Sequence, residues 1–160
     1  MKGAPQSKLA DWWTVAARWF LGGLFIYMGL SKALHPVEFL KLVHQYGLTD
    51  SPLLLNLIAA ALPWFEVFCG LLLVSGVAVR GTALVLVLLL VPFTIVVLRR
   101  ALAIHTLQSI PLCAVKFDCG CGNGEEWICS KLRDNCGLIL LAAWLVAGRG
   151  RQLCLKYHLL

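Results

Sequence analysis

Charged residues are scarce in this 160-residue chain, at 14% of the total, and only 8 of them are acidic. Ordinary water-soluble domains carry roughly 25% charged residues, and disordered chains have low hydrophobicity, so the composition excludes both classes. There is no basic run longer than Arg99-Arg100 and no nucleic-acid-binding motif, so we expect no nucleic-acid partner. No internal repeat is evident either, which disfavours a repeat-built transporter.

Hydrophobic residues, in contrast, make up 60% of the chain, and the mean hydropathy is +0.83. At this length, such a composition is typical of one domain made of several membrane-spanning helices. The net charge of +6 is typical of membrane flanks that face anionic lipid headgroups. The first predicted partner is therefore the lipid bilayer.

Four segments are candidates for helices that cross the bilayer, each of which needs about 20 apolar residues. Within a single domain of residues 1–160, the predicted spans are residues 12–34, 53–79, 81–104 and 127–148. The fourth must accept Lys131, Arg133 and Asp134 into its first turns. The predicted fold class is all-α, an integral membrane four-helix bundle.

Two further segments connect these spans. Residues 36–46 alternate apolar and polar side chains in the manner of a short amphipathic helix at the membrane interface. Residues 105–130 form a cysteine-rich loop, and loops of this length in compact proteins are usually functional. Because cysteine pairs persist in oxidising compartments, we expect the bacterial inner membrane, with both termini cytoplasmic and this loop periplasmic.

Five of the seven cysteines lie between Cys113 and Cys136. A disulfide between Cys119 and Cys121 would close a small strained ring of raised reduction potential, which suits an oxidant or an exchange site. Two alternatives remain. In the first, the cysteines only link the loop through structural disulfides. In the second, Cys119, Cys121, Cys129 and Cys136 bind a metal, although their spacings differ from common zinc patterns.

The pairing of Cys129 is limited by helix geometry. Cys129 and Cys136 are seven residues apart, which on one helix is a rise of roughly 10 Å. A disulfide requires Cα atoms within about 7 Å, so these two cannot bond on a continuous helix. The favoured partner of Cys129 is Cys113 or one of the Cys119/Cys121 pair. Cys136 then points into the bundle or serves as a resolving thiol.

Glu66 is an acid near the middle of the second predicted span. A carboxylate at that depth is costly and is by default a candidate for a functional site. Its candidate counter-ions are Lys32, near the end of the first span, and Arg133, which Asp134 could hold in turn. The pattern is consistent both with a structural ion pair and with a carboxylate that relays protons.

Several motifs together resemble a known family. They are Lys32, the run Pro63-Trp64-Phe65-Glu66, the run Cys119-Gly120-Cys121-Gly122, and Arg133-Asp134. In these the chain resembles the DoxX-like membrane proteins and, within them, the MauE-type branch, over about residues 18–147. The resemblance implies a four-helix membrane protein linked to thiol and sulfur redox chemistry, in a branch implicated in maturing disulfide-rich periplasmic proteins. Gly122-Asn123-Gly124 departs from the usual Cys-Gly-Cys-Phe-Gly pattern.

The predicted function is a membrane thiol–disulfide redox protein. It would pass electrons from a periplasmic thiol protein to a membrane acceptor, for which a quinone is the candidate cofactor. The candidate catalytic residues are Cys119, Cys121, Cys129, Glu66 and Arg133, and the candidate ion-pair or structural residues are Lys32, Asp134, Cys113 and Cys136. The alternative is a small accessory subunit of a larger respiratory or photosynthetic membrane complex, with purely structural disulfides.

Overall fold

The computed structural model describes residues 8–47, 51–118 and 125–148. These ranges contain five α-helices: α1 Lys8–Leu34, α2 Pro36–Gln45, α3 Pro52–Ser75, α4 Val79–Gln108 and α5 Ile128–Ala147. Between α4 and α5 lie a 3-10 turn, Leu112–Ala114, and two short antiparallel strands, β1 Lys116–Asp118 and β2 Glu125–Trp127. The predicted all-α class is confirmed.

Three of these helices are long and apolar enough to cross a membrane: Trp12–Leu34 of α1, the whole of α3 and the whole of α4. The protein is therefore an α-helical membrane protein. The 20 residues of α5 match the predicted fourth span in position, but its first two turns carry Lys131, Arg133 and Asp134. That α5 crosses the bilayer stays a prediction.

The C-terminal ends of α3 and α4 each lie four residues from the predicted span ends. Gly76 adopts a left-handed conformation, with φ of 74°, and α3 therefore ends at Ser75 rather than near residue 79. The N–H groups of Gly76 and Val77 bond back to carbonyls of the last turn, which closes the helix end. In contrast, α4 continues to Gln108, so the loop predicted to begin at residue 105 is shorter.

The four long helices pack as two pairs. α1 packs along α3 and α4 along α5, while smaller contacts of α1 with α5 and of α3 with α4 close the ring. α2 packs against the first turns of α3. That the long helices form a four-helix membrane bundle stays a prediction. Side chains of all four long helices meet in one apolar cluster, formed by Ala17, Leu21, Phe25, Cys69, Leu73, Val79, Ala83, Leu86, Leu90, Ala142 and Leu145.

Glycine allows α1 and α3 to approach closely. A Cβ atom at Gly22 would lie 2.8 Å from the carbonyl oxygen of Gly70, and one at Gly29 would lie 2.7 Å from that of Pro63. Both distances are far below van der Waals contact, so any larger residue would push the helices apart. Small residues have this role in membrane helices because lipid supplies no hydrophobic drive for helix association.

The close packing of α1 on α3 predicts opposite effects for two neighbouring substitutions. Gly22→Ala should lower the free energy of unfolding by about 1–3 kcal/mol, because its methyl group must displace the backbone of α3. Gly23→Ala is the matched control, since a Cβ there meets no atom within 4 Å. It should be neutral or stabilising by about 0.5–1 kcal/mol, because alanine is the better helix former. Thermal unfolding in detergent micelles measures both, and equal shifts would contradict the packing.

Candidate functional site

Lys32 and Glu66 form an ion pair inside the bundle. The Nζ atom of Lys32 lies 2.7 Å from each carboxylate oxygen of Glu66, and the two residues are only 5% and 8% exposed. The close contacts of Gly22 with Gly70 and of Gly29 with Pro63 show that α1 and α3 run antiparallel. Side chains lean toward the N-terminus of their own helix, so on antiparallel helices these two lean toward each other.

The other predicted counter-ion, Arg133, lies apart from this pair. Its Nε atom donates to Oδ1 of Asp134 at 3.2 Å, and its Nη2 atom donates to Oγ of Ser130 at 3.2 Å. The proposed contact of Arg133 with Asp134 is thus present, but both side chains are exposed and neither reaches Glu66. Exposed ion pairs of this kind contribute about 0–1 kcal/mol to stability.

A cavity of about 270 Å³ borders the Lys32–Glu66 pair. All four long helices and α2 contribute to its wall, which is mainly apolar and includes the rings of Phe25, Phe39 and Phe93. The centres of the Phe39 and Phe93 rings lie 5.5 and 6.0 Å from Nζ of Lys32, within reach of a cation–π interaction. The buried lysine is therefore stabilised by a carboxylate and two aromatic rings together.

Asn135 is a buried polar residue of this cavity that sequence reasoning missed. It is 3% exposed, and its Nδ2 atom donates to Oγ1 of Thr94 at 3.1 Å. Thr94 Oγ1 donates in turn to the carbonyl oxygen of Leu90 at 2.7 Å, so the amide links α5 to α4. The spacing in the sequence could have indicated a polar site here, because Asn135 follows Lys131 by one helical turn and lies on the same face of α5.

Sequence reasoning also did not single out Arg18 and Lys131, two cations that are buried in the structure. Arg18 is fully buried, and its Nε atom donates to the carbonyl oxygen of Leu73 at 3.2 Å. Leu73 lies in the last turn of α3, where a positive charge complements the helix dipole. Lys131 is 8% exposed, and its Nζ atom lies 3.4 Å from the carboxylate of Glu126. The first turn of α5 can therefore hold a buried lysine, because Glu126 of β2 supplies its counter-ion.

Cys113 and Cys129 form a disulfide, with their Cα atoms 5.1 Å apart. This is one of the pairings that helix geometry left open for Cys129. It leaves no thiol on Cys129 in this form of the protein, so the candidate catalytic role of Cys129 would require the bond to be reduced. Cys136 is a free cysteine on an exposed part of α5 and does not point into the bundle, and Cys69 is free and buried.

The disulfide closes the base of the hairpin that β1 and β2 form. Cys113 precedes β1 and Cys129 follows β2, and the N–H of Ile128 donates to the carbonyl oxygen of Val115 at 3.1 Å. At the other end of the strands, Asp118 is paired with Glu125. Residues 119–124 join these two positions. The predicted reactive cysteines, Cys119 and Cys121, belong to that segment and lie outside the described residues.

Metal binding has little support in the described parts of the chain. Across residues 8–47, 51–118 and 125–148, no group of three or more His, Cys, Asp or Glu side chains is placed to hold a metal ion. The four-cysteine metal site also requires Cys119 and Cys121, which lie outside the described residues. Cys129, a third proposed ligand, is bonded to Cys113.

Comparison with known proteins gives one match. A family model described as "Methylamine utilisation protein MauE" matches residues 10–148, which include the Lys32–Glu66 pair and the cysteine-rich hairpin. No curated protein and no solved structure matches the chain. The family match supports the MauE part of the resemblance, and the wider DoxX-like relation stays a prediction.

The buried ion pair predicts a large effect of removing one charge. Glu66→Gln should lower the free energy of unfolding by about 3–5 kcal/mol, because it leaves the ammonium of Lys32 buried without a counter-ion. The matched control is Asp134→Asn, which removes the partner of an exposed arginine and should cost less than about 1 kcal/mol. Thermal or denaturant unfolding in detergent micelles compares the two.

A double variant completes this test. Lys32→Met with Glu66→Leu removes both charges and fills similar volume, so it should recover most of the stability lost in Glu66→Gln. Equal effects of Glu66→Gln and Asp134→Asn, or no recovery in the double variant, would contradict the role assigned to the pair.

Proposed function

Because the chain belongs to the MauE family, we propose that it is a thiol–disulfide redox protein of the bacterial inner membrane. The family is described by its part in methylamine utilisation, and three apolar helices place this member in a membrane. The proposed chemistry is exchange between Cys119 and Cys121 and the thiols of a periplasmic protein. Electrons then pass to an acceptor in the bilayer.

The position of the Cys113–Cys129 disulfide carries this proposal. The bond joins the two ends of a segment that contains two more cysteines, and the β1–β2 pairing aligns the chain on either side of it. A structural bond at the base of the hairpin takes Cys113 and Cys129 out of exchange. Cys136 in α5 is also an exposed free thiol, but Cys119 and Cys121 are one residue apart and can form a disulfide with each other. We therefore assign the reactive role to this pair and a structural role to Cys113 and Cys129.

The proposed reaction has two steps. A partner thiolate attacks one sulfur of a Cys119–Cys121 disulfide, and the second partner thiolate resolves the mixed disulfide, so that the partner is oxidised and the pair becomes a dithiol. The dithiol is then reoxidised by the membrane acceptor. A quinone would take up its two electrons and two protons and leave as a quinol.

Charged groups at the hairpin end of the bundle support exchange there. Lys116 in β1 is an exposed cation three residues before Cys119, and a cation close to a cysteine favours its thiolate form, which Asp118 opposes. Helix connectivity puts the hairpin at the end of the bundle opposite the start of α1 and the end of α5. In this proposal that end faces the periplasm, the termini face the cytoplasm, and Glu66 relays the protons released by thiol oxidation.

The alternative, an accessory subunit of a larger membrane complex, is favoured by one surface. Trp13 and Phe20 of α1 and Trp144 of α5 line an apolar groove on the outside of the bundle. Aromatic side chains of this kind suit a helix of a neighbouring subunit as well as they suit lipid. Stable stoichiometric co-purification with a respiratory or photosynthetic assembly would favour this alternative.

The proposed function predicts different effects for cysteines in different places. Cys119→Ser and Cys121→Ser should each abolish oxidation of a dithiol peptide by the purified protein, because neither variant can form the exchanging disulfide. Cys69→Ser is the control and should keep full activity, since Cys69 is packed in the apolar core. Thiol loss in the peptide measures the rate. Full activity in both loop variants would rule out the redox function and leave the accessory-subunit interpretation.

A further inference from the structure

We propose that the cavity beside Lys32 and Glu66 binds the ring of a lipid-tailed quinone, and that this ligand enters from the bilayer between α1 and α5. The inference rests on the proposed function, because it names the site at which the membrane acceptor would bind.

The size and walls of the cavity suit a single flat ring. Its volume of about 270 Å³ lies near the lower end of small-molecule sites, which are typically about 300–1,000 Å³. Phe25, Phe39 and Phe93 supply aromatic walls, and aromatic rings pack well against other rings by stacked or edge contacts. A large fused ring system would not fit without movement of the helices.

The polar groups of the cavity suit a ligand that is uncharged and accepts hydrogen bonds. Lys32 carries three N–H donors, and its bonds to Glu66 use two of them. The amide of Asn135 carries two N–H donors, and its bond to Thr94 uses one. Both residues line the cavity, so each has a donor left for a ligand oxygen.

The charge balance favours the same class of ligand. The Lys32–Glu66 pair is neutral as a unit, so a bound anion or cation would have no counter-ion in a site of low polarity. A carbonyl oxygen is neutral and accepts hydrogen bonds from N–H groups. A quinone ring has two such oxygens on a flat, otherwise apolar body.

A second cavity, of about 420 Å³, supplies a route from the bilayer. It lies between α1 and α5, and it shares Met28 and Asn135 with the first cavity, so these two residues separate the two spaces. Its lining is polar where Lys131 and Arg133 contribute and apolar where Phe20 and Leu24 contribute. This amphipathic lining suits a molecule with a polar head and an apolar tail. α1 also contacts α5 far less than it contacts α3, which makes this seam the easier one to open.

Binding is tested in detergent micelles with the full chain carrying Cys119→Ser and Cys121→Ser, so that no thiol exchange takes part. The probe is 2,3-dimethoxy-5-methyl-6-decyl-1,4-benzoquinone, and decylbenzene is the comparison molecule without carbonyl groups. We expect the quinone to raise the unfolding temperature and to bind roughly tenfold more tightly than decylbenzene, because it gains hydrogen bonds from buried donors.

Two variants locate the site. Met28→Trp fills the shared wall and should weaken quinone binding by at least roughly tenfold, whereas Leu88→Trp, on the exposed face of α4, should leave it unchanged. Asn135→Leu keeps a similar volume but removes one of the two donors, and should weaken quinone binding severalfold while leaving decylbenzene binding unchanged. If Met28→Trp does not fold, Asn135→Leu decides the question.

Two results would overturn the inference: no preference for the quinone over decylbenzene, or unchanged quinone binding in both Met28→Trp and Asn135→Leu. The test is separate from the proposed function. Quinone binding without thiol exchange in the unsubstituted chain would overturn the redox function and keep this site. Thiol exchange without quinone binding would overturn this site alone.

Discussion

The ion pair of Lys32 and Glu66 is the constraint on which the architecture of this membrane protein depends. Neither charge is tolerable alone at this depth, because apolar surroundings cannot replace water around it. The pair forms only if α1 and α3 approach closely and in one register, and Gly22, Gly29 and Gly70 allow that approach. The pair lines the cavity together with residues of α2, α4 and α5, including Asn135.

Charged side chains at the two ends of the bundle are also bonded to nearby polar groups. Arg18 completes the C-terminal end of α3, and Arg80 donates to the carbonyl oxygen of Val146 at 2.8 Å, near the end of α5. At the opposite end, Lys131 pairs with Glu126 and a disulfide joins Cys113 to Cys129. Arg18 and Arg80 thus close helix ends, while Lys131 and the disulfide anchor the hairpin.

The sequence predicted the helices well, because hydrophobic length is a local property that needs no partner. It narrowed the partners of Glu66 to Lys32 and Arg133 but could not choose between them, since that choice depends on which helices pack most closely. The end of α3 at Ser75 was missed because Gly76 lies inside an apolar run of the sequence, and only its left-handed conformation ends the helix. Asn135 and its cavity were missed because a cavity is formed by five helices at once.

Redox titration of the purified protein, with differential alkylation and mass-spectrometric mapping of each cysteine, tests the central claim most directly. The account predicts two separate transitions. Cys119 and Cys121 should be reduced together at the higher potential, while Cys113 and Cys129 stay bonded until a lower potential, because an exchanging disulfide is more oxidising than a structural one. A single shared transition, or the absence of any reversible bond between Cys119 and Cys121, would contradict the account.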